Sequence, residues 1–215
     1  MGEKPEDHGI RAVIDGQPLS LYVDYDRPRL AKLSPEGKVE YLQRRFNFVV
    51  LEPLAILLDD DVYSRHSAER EAQVLLVWGN TVMCAIEALG HFITDATATN
   101  AGAFLAFVNA FMDPSWRDRP VNRPPGIDSY ARWLWDSFRN GLAHGAYVKS
   151  GGFEKLGDRL FYETERGLLK VDPWGLDIDF RSGVKKMRRS LSEPDNYFRK
   201  TFLIRFDWTY VQGEA

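Results

Sequence analysis

Asp128-Ser129-Tyr130-Ala131-Arg132-Trp133-Leu134-Trp135-Asp136-Ser137-Phe138-Arg139-Asn140-Gly141-Leu142-Ala143-His144-Gly145-Ala146-Tyr147 decides how the chain is read. The stretch predicts a helix that starts on a cap at Asp128 or Ser129 and stops at Gly145. Trp133, Leu134, Phe138, Leu142 and, less centrally, Tyr130 fall near one face at helical spacing. The C-terminal end carries Arg139, Asn140 and His144 within a turn and a half. On an ideal helix Arg139 and His144 point about 140° apart. Asp136, Asn140 and His144 follow one another at i, i+4 and form a polar seam, with the long Arg139 side chain beside it. Gly145 suits a left-handed C′ position. His144 then lies in the last turn, where carbonyl dipoles favour the imidazolium and where an imidazole can act as acid or base.

Arg139-Asn140-Gly141-Leu142-Ala143-His144 resembles the R-x4-6-H motif of HEPN domains, with the polar residue those domains usually place after the arginine. HEPN domains are all-α ribonucleases, toxins and defence or RNA-processing components, and many work with a nucleotidyltransferase. The resemblance implies a homodimer that brings two motifs into one cleft and cuts RNA without metal or cofactor. On that pattern His144 moves the proton of a ribose 2′-hydroxyl or of the leaving oxygen. Arg139 stabilises the charged phosphorane, as a planar fork can, and Asn140 orients the phosphate or the histidine. A partner nucleotidyltransferase or antitoxin belongs to the same expectation. HEPN toxins modified by partner enzymes often carry a tyrosine two residues past the histidine. Tyr147 stands three past His144, so it is kept only as a supporting candidate.

Composition narrows the classes. A chain of 215 residues with 44% hydrophobic content can bury one core with additions. Net charge −3 and pI ≈ 5.9 exclude a general nucleic-acid coat, so RNA contact requires local basic patches. One cysteine, Cys84, excludes an internal disulfide and a cysteine-rich zinc site. The N-terminal Met-Gly-Glu-Lys-Pro-Glu-Asp has no apolar core of a signal peptide, and polar residues interrupt every apolar run of membrane length. A soluble cytoplasmic protein is expected.

Residues 1–33 read as an N-terminal extension, and 34–215 as a helical domain. In the extension, Ile10–Ile14 and Leu19–Asp24 flank Asp15-Gly16, a strong hairpin signal. Ser34-Pro35-Glu36 starts a helix through Val39, Leu42, Phe46, Val49 and Val50, which Pro53 either kinks or divides. Asp59-Asp60-Asp61 lacks the alternation of metal ligands and reads as a helix end or loop. Ser67 caps the longest helix, about residues 67–93, apolar on more than one face and therefore central or interfacial. Glu87 and His91 interrupt it at i, i+4. They form either a hydrogen-bonded pair at the rim or, through Glu87, a reach toward Arg139 and His144. Ile86-Glu87-Ala88-Leu89 also resembles the segment HEPN domains often have here.

Residues 100–112 predict a helix with an aromatic stripe that reads as core. Residues 113–126 break every periodicity and form the longest loop. Arg117, Arg119 and Arg123, with Trp116, are candidates for phosphate contact and base stacking. The alternative is a surface crossing with Trp116 docked on the core. Leu160–Glu163 and Leu168–Val171 predict a second hairpin, turned at Gly167. A helix from about Ser182 carries Lys185, Lys186, Arg188 and Arg189, the densest basic patch, read as a solvated face or an RNA-backbone contact. A last amphipathic helix, Asn196–Val211, presents Phe198, Phe202, Phe206 and Trp208.

The expected fold is mainly α, an antiparallel bundle of four to six helices with one or two small β-hairpins. The expected activity is that of a HEPN-like metal-independent endoribonuclease in a toxin–antitoxin, phage-defence or RNA-processing setting. The alternatives are a catalytically silent dimeric interaction or nucleotide-binding module, and a helical protein in which the motif is accidental.

Overall fold

The computed structural model describes residues 11–21, 27–59, 68–145 and 148–212, with the backbone alone at 11, 68–70 and 143–145. The described chain is mainly helical, with two small sheets.

Strands β1 (Arg11–Ile14) and β2 (Gln17–Ser20) pair antiparallel around Asp15-Gly16. Both turn residues have positive φ, 48° and 73°, as a two-residue turn of matching twist demands. The second strand starts two residues earlier than the sequence predicts, and Pro18 pairs with Val13. A two-stranded ribbon tolerates a proline because each strand has a free edge. Residues 22–24 of the predicted strand lie outside the described residues, as do residues 1–10. The tip is fastened to the next helix, where Asp15 Oδ2 accepts the Ser34 N–H at 2.7 Å. Buried Ala12, Ile14 and Leu19 join the main core.

Helix α1 (Arg27–Leu30) is one turn. Helix α2 (Pro35–Phe46) starts on Ser34, whose Oγ accepts the Gly37 N–H. It runs without a break through a π turn (Asn47–Leu51) into α3 (Glu52–Leu57), so Pro53 neither ends nor divides it. A proline ring collides with the carbonyl four residues back. The widened turn just ahead of Pro53 makes room for it.

Helix α4 (Ala68–Ile93) is the hub, packing on α3 and on the helices described below. Its predicted cap, Ser67, lies outside the described residues. Over Glu71–Ile93 it is long and apolar enough to cross a membrane by length and composition, and half of that stretch is buried inside the fold. Glu87 and the other polar residues do not interrupt it enough to fail that test. Two glycines let neighbours come close. A Cβ on Gly90 would lie 1.9 Å from the Ala103 carbonyl oxygen, and one on Gly79 would meet the Phe153 ring. Ala103 belongs to α5 (Asn100–Phe111), capped by Thr99, whose Phe104 and Phe107 are fully buried.

After a 3-10 turn (Pro114–Arg117) and a loop, one continuous helix spans the quoted stretch in three pieces: α6 (Tyr130–Leu134), a π turn (Trp135–Arg139) and α7 (Asn140–Gly145). Ser129 is its cap, with Oγ accepting from the Arg132 N–H. The chain then folds back along this helix as β3 (Gly151–Phe153). It pairs parallel with β5 (Leu169–Val171), which pairs antiparallel with β4 (Phe161–Glu163) in the order β3-β5-β4. Strand β3 is absent from the sequence reading, because Gly-Gly-Phe carries no strand signal.

Helix α8 (Pro173–Ser192) starts nine residues before the expected Ser182. Asp172 caps it and Pro173 takes its first turn, the same device as Ser34-Pro35. Helix α9 (Tyr197–Phe206) ends in a π turn (Asp207–Gln212). Phe202 and Phe206 enter the core as expected, but Trp208 does not: it is 40% exposed. Tyr197 and Ile204 share that outward side of the helix, so α9 is apolar on both faces.

Candidate active site

Arg139 closes the π turn of the motif helix, and Glu87 comes from the middle of α4, which packs against that turn. Arg139 Nε donates to Glu87 Oε2 at 2.7 Å, and Nη2 donates to Oε1 at 3.3 Å. Both side chains are largely buried, 15% and 11% exposed. The Arg139 guanidinium carbon also lies 5.7 Å from the centre of the Trp135 ring, within cation–π range. Trp135 is itself wedged on Phe104, with ring centres 5.4 Å apart. The cation is therefore held by a carboxylate along its Nε edge and by an indole near its plane. This fork-on-carboxylate geometry leaves Nη1 as the part of the guanidinium not used on Glu87.

Of the two readings of Glu87, the structure shows the reach toward Arg139. The expected Glu87–His91 hydrogen bond is not made: His91 Nε2 lies 3.2 Å from Asn100 Oδ1. Asn140 follows Arg139 and is half-buried. Asp136 is half-buried too, and no hydrogen bond joins it to Asn140 among the described residues. His144 has its backbone in the last turn of α7, while its side chain and Tyr147 lie outside the described residues.

The π turn is braced from behind. Ser137 and Ser150 share a 2.6 Å hydrogen bond, Trp133 Nε1 donates to Ser150 Oγ, and the Lys149 N–H donates to the Ser137 carbonyl. Phe153 packs on Phe138 and Trp78. The returning chain thus fixes the rotation of the motif helix against α4. None of this was readable in advance. Trp135 was visible four residues before Arg139, but Ser150 and Phe153 carry no pattern that links them to it.

The predicted basic groups are spread over two elements. Arg117 and Arg119 are exposed, whereas Arg123 is half-buried and donates to the Pro120 carbonyl. Trp116 offers no base-stacking platform. It is fully buried, its ring centre 4.4 Å from that of Phe161, and its Nε1 donates to Asp179 Oδ2 at 2.8 Å. The loop is tied down further by Glu163, whose carboxylate accepts the Val121 N–H at 3.0 Å and the Asn122 N–H at 3.4 Å. Burial, with the Glu163 charge second, raises the pKa of Tyr130 beside it. Burial likewise raises that of Asp179, against the pull of its Trp116 and Asp113 donors.

Lys185, Lys186, Arg188 and Arg189 are all exposed on α8. The pKa of Asp113 is lowered first by its Ser115 hydrogen bonds and only in small part by the charges of Lys186 and Arg117. Arg188 points elsewhere, lining a groove of about 390 Å³ between α8 and α2 with Glu36, Glu40 and Arg44. No cluster of three or more metal-ligating side chains is present among the described residues.

No family model, curated protein or solved structure matches this chain.

Proposed function

We propose that the chain is a HEPN-like endoribonuclease that cleaves RNA by attack of a 2′-hydroxyl on the adjacent phosphate, without a metal. One observation carries the reading: the motif arginine is anchored by a carboxylate from the facing helix and lies within cation–π range of an indole, so its position is set before substrate arrives. Catalysis by charge stabilisation requires such preorganisation, because a floppy cation must be ordered during the reaction.

In this scheme Arg139 uses the donors not taken by Glu87 to hold the non-bridging oxygens of the phosphorane. His144, one turn on in the same helix, moves the proton between the 2′-hydroxyl and the leaving 5′-oxygen. Asn140 hydrogen-bonds the phosphate or the imidazole. The bond that forms is O2′–P and the one that breaks is P–O5′, leaving a 2′,3′-cyclic phosphate and a 5′-hydroxyl. Arg117, Arg119, Arg123, Lys185, Lys186, Arg188 and Arg189 form the basic field that meets the RNA backbone. Two copies supply two motifs to one cleft, and a nucleotidyltransferase or antitoxin would control it.

The second reading is a catalytically silent binding module, and one observation favours it. Glu87 already neutralises Arg139 through both carboxylate oxygens, which weakens the arginine's hold on a phosphate. Incubation with mixed RNA in EDTA separates the two. Fragments ending in 2′,3′-cyclic phosphate support the nuclease. Saturable RNA or nucleotide binding with no fragments supports the module.

A further inference from the structure

Helix α9 buries Phe202 and Phe206, yet its opposite face is also apolar. Tyr197 is 77% exposed, Ile204 64% and Trp208 40%. On a helix of about 100° per residue, Tyr197 and Ile204 lie about 20° apart, and Trp208 follows in the π turn, also exposed. Half-buried Thr201 lies on the same side, so Tyr197, Thr201 and Ile204 form a stripe at i, i+4 and i+7 that leads into the π turn carrying Trp208. Single exposed apolar residues need no explanation, but three large ones at this spacing form a docking face.

We propose that this stripe binds a second copy of the same chain, with the two α9 helices antiparallel and the two-fold axis at Ile204. The charges on the stripe's edge select this occupant. Lys200 and Asp207 both lie on one side of Ile204's line, at nearly equal distances before and after it. Antiparallel helices bring like edges together, so Lys200 of one copy meets Asp207 of the other, twice. Asp207 Oδ1 accepts from Lys38 Nζ at 2.6 Å, and its Oδ2 makes no hydrogen bond among the described residues. Arg205, on the other flank, is held by the His91 carbonyl and lies 4.7 Å from the Trp208 ring centre, which fixes that indole in its outward pose. The surface uses no residue of the Arg139 site, so it is a contact separate from the one that would join two motifs in a cleft, and it does not rest on the ribonuclease reading. One helix pair is smaller than the ~1,600 Å² of a standard interface, so the dimer is expected in the micromolar range.

Site-specific cross-linking tests the register. In a Cys84→Ser background, Ile204→Cys should give a disulfide-linked dimer under mild oxidation. Tyr197→Cys should not, because its two copies would lie roughly 21 Å apart along the axis. In sedimentation, Lys200→Asp should weaken the dimer at least tenfold. Equal cross-linking of both cysteines, or a chain that sediments as a monomer at about 200 μM, overturns the proposal, as does a Lys200→Asp dimer of unchanged affinity.

Discussion

The guanidinium of Arg139 lies edge-on to the carboxylate of Glu87, with Nε 2.7 Å from Oε2 and Nη2 3.3 Å from Oε1. The pair joins the motif helix to α4, and neither side chain has much access to water. Removing one member strands the other. Glu87→Ala is expected to lower stability by about 3 kcal/mol, and Arg139→Ala/Glu87→Ala by less than the sum of the two single changes. A double-mutant cycle by denaturant unfolding measures this. Additive losses would mean that the pair contributes nothing.

Gly90 faces the Ala103 carbonyl so closely that a methyl group has nowhere to go. Gly90→Ala should force α4 and α5 apart and lower stability by about 3 kcal/mol. Thermal unfolding checks it, with Ala88→Gly as a control, since Ala88 is exposed on the same helix.

Asp179 gives a pH signature. Its folded pKa is raised by burial above the unfolded value. Between those two values the folded protein holds more protons than the unfolded chain, so this site's contribution to stability falls as pH rises. Asp179→Asn removes that fall. The stability difference, wild type minus variant, should therefore shrink as pH rises from about 4 toward neutrality. A difference that grows with pH would show that the carboxylate is favoured in the fold.

Glu163 is the peg under the arginine loop. Glu163→Ala should speed amide exchange at Val121 and Asn122 by at least tenfold. Exchange at Thr164, bonded to the Leu168 carbonyl, should change little. Unchanged protection at Val121 would show that other contacts order the loop.

Local rules carried much of the fold. Asp15-Gly16, Ser34-Pro35 and Ser129 each place their element, because a turn or cap acts within a few residues. Asp172-Pro173 is the same kind of signal, and Leu176, Phe180, Met187 and Leu191 continue it at helical spacing, so the start at Pro173 is as legible in the sequence as the one at Pro35. At Pro53 only the division of the helix is overturned, and the π turn that accommodates the proline has no sequence signature. At the site, Arg139 and Asn140 were legible as a motif, but the choice between partners for Glu87 was not. Spacing on one helix ranks neighbours on that helix, whereas the partner came from packing of α4 on the motif helix. Trp208 shows the converse limit: two residues past Phe206 it falls on the other side of the helix from the core, and it faces outward there, 40% exposed.

The central claim is that Arg139 and His144 cut RNA. The most direct measurement compares wild type, Arg139→Ala and His144→Ala on one RNA in EDTA, reading 2′,3′-cyclic phosphate ends. The expected result is cleavage by wild type and a loss of at least 100-fold in each variant, as removal of a general acid–base or of an oxyanion donor gives. Cleavage that persists unchanged in His144→Ala would contradict it.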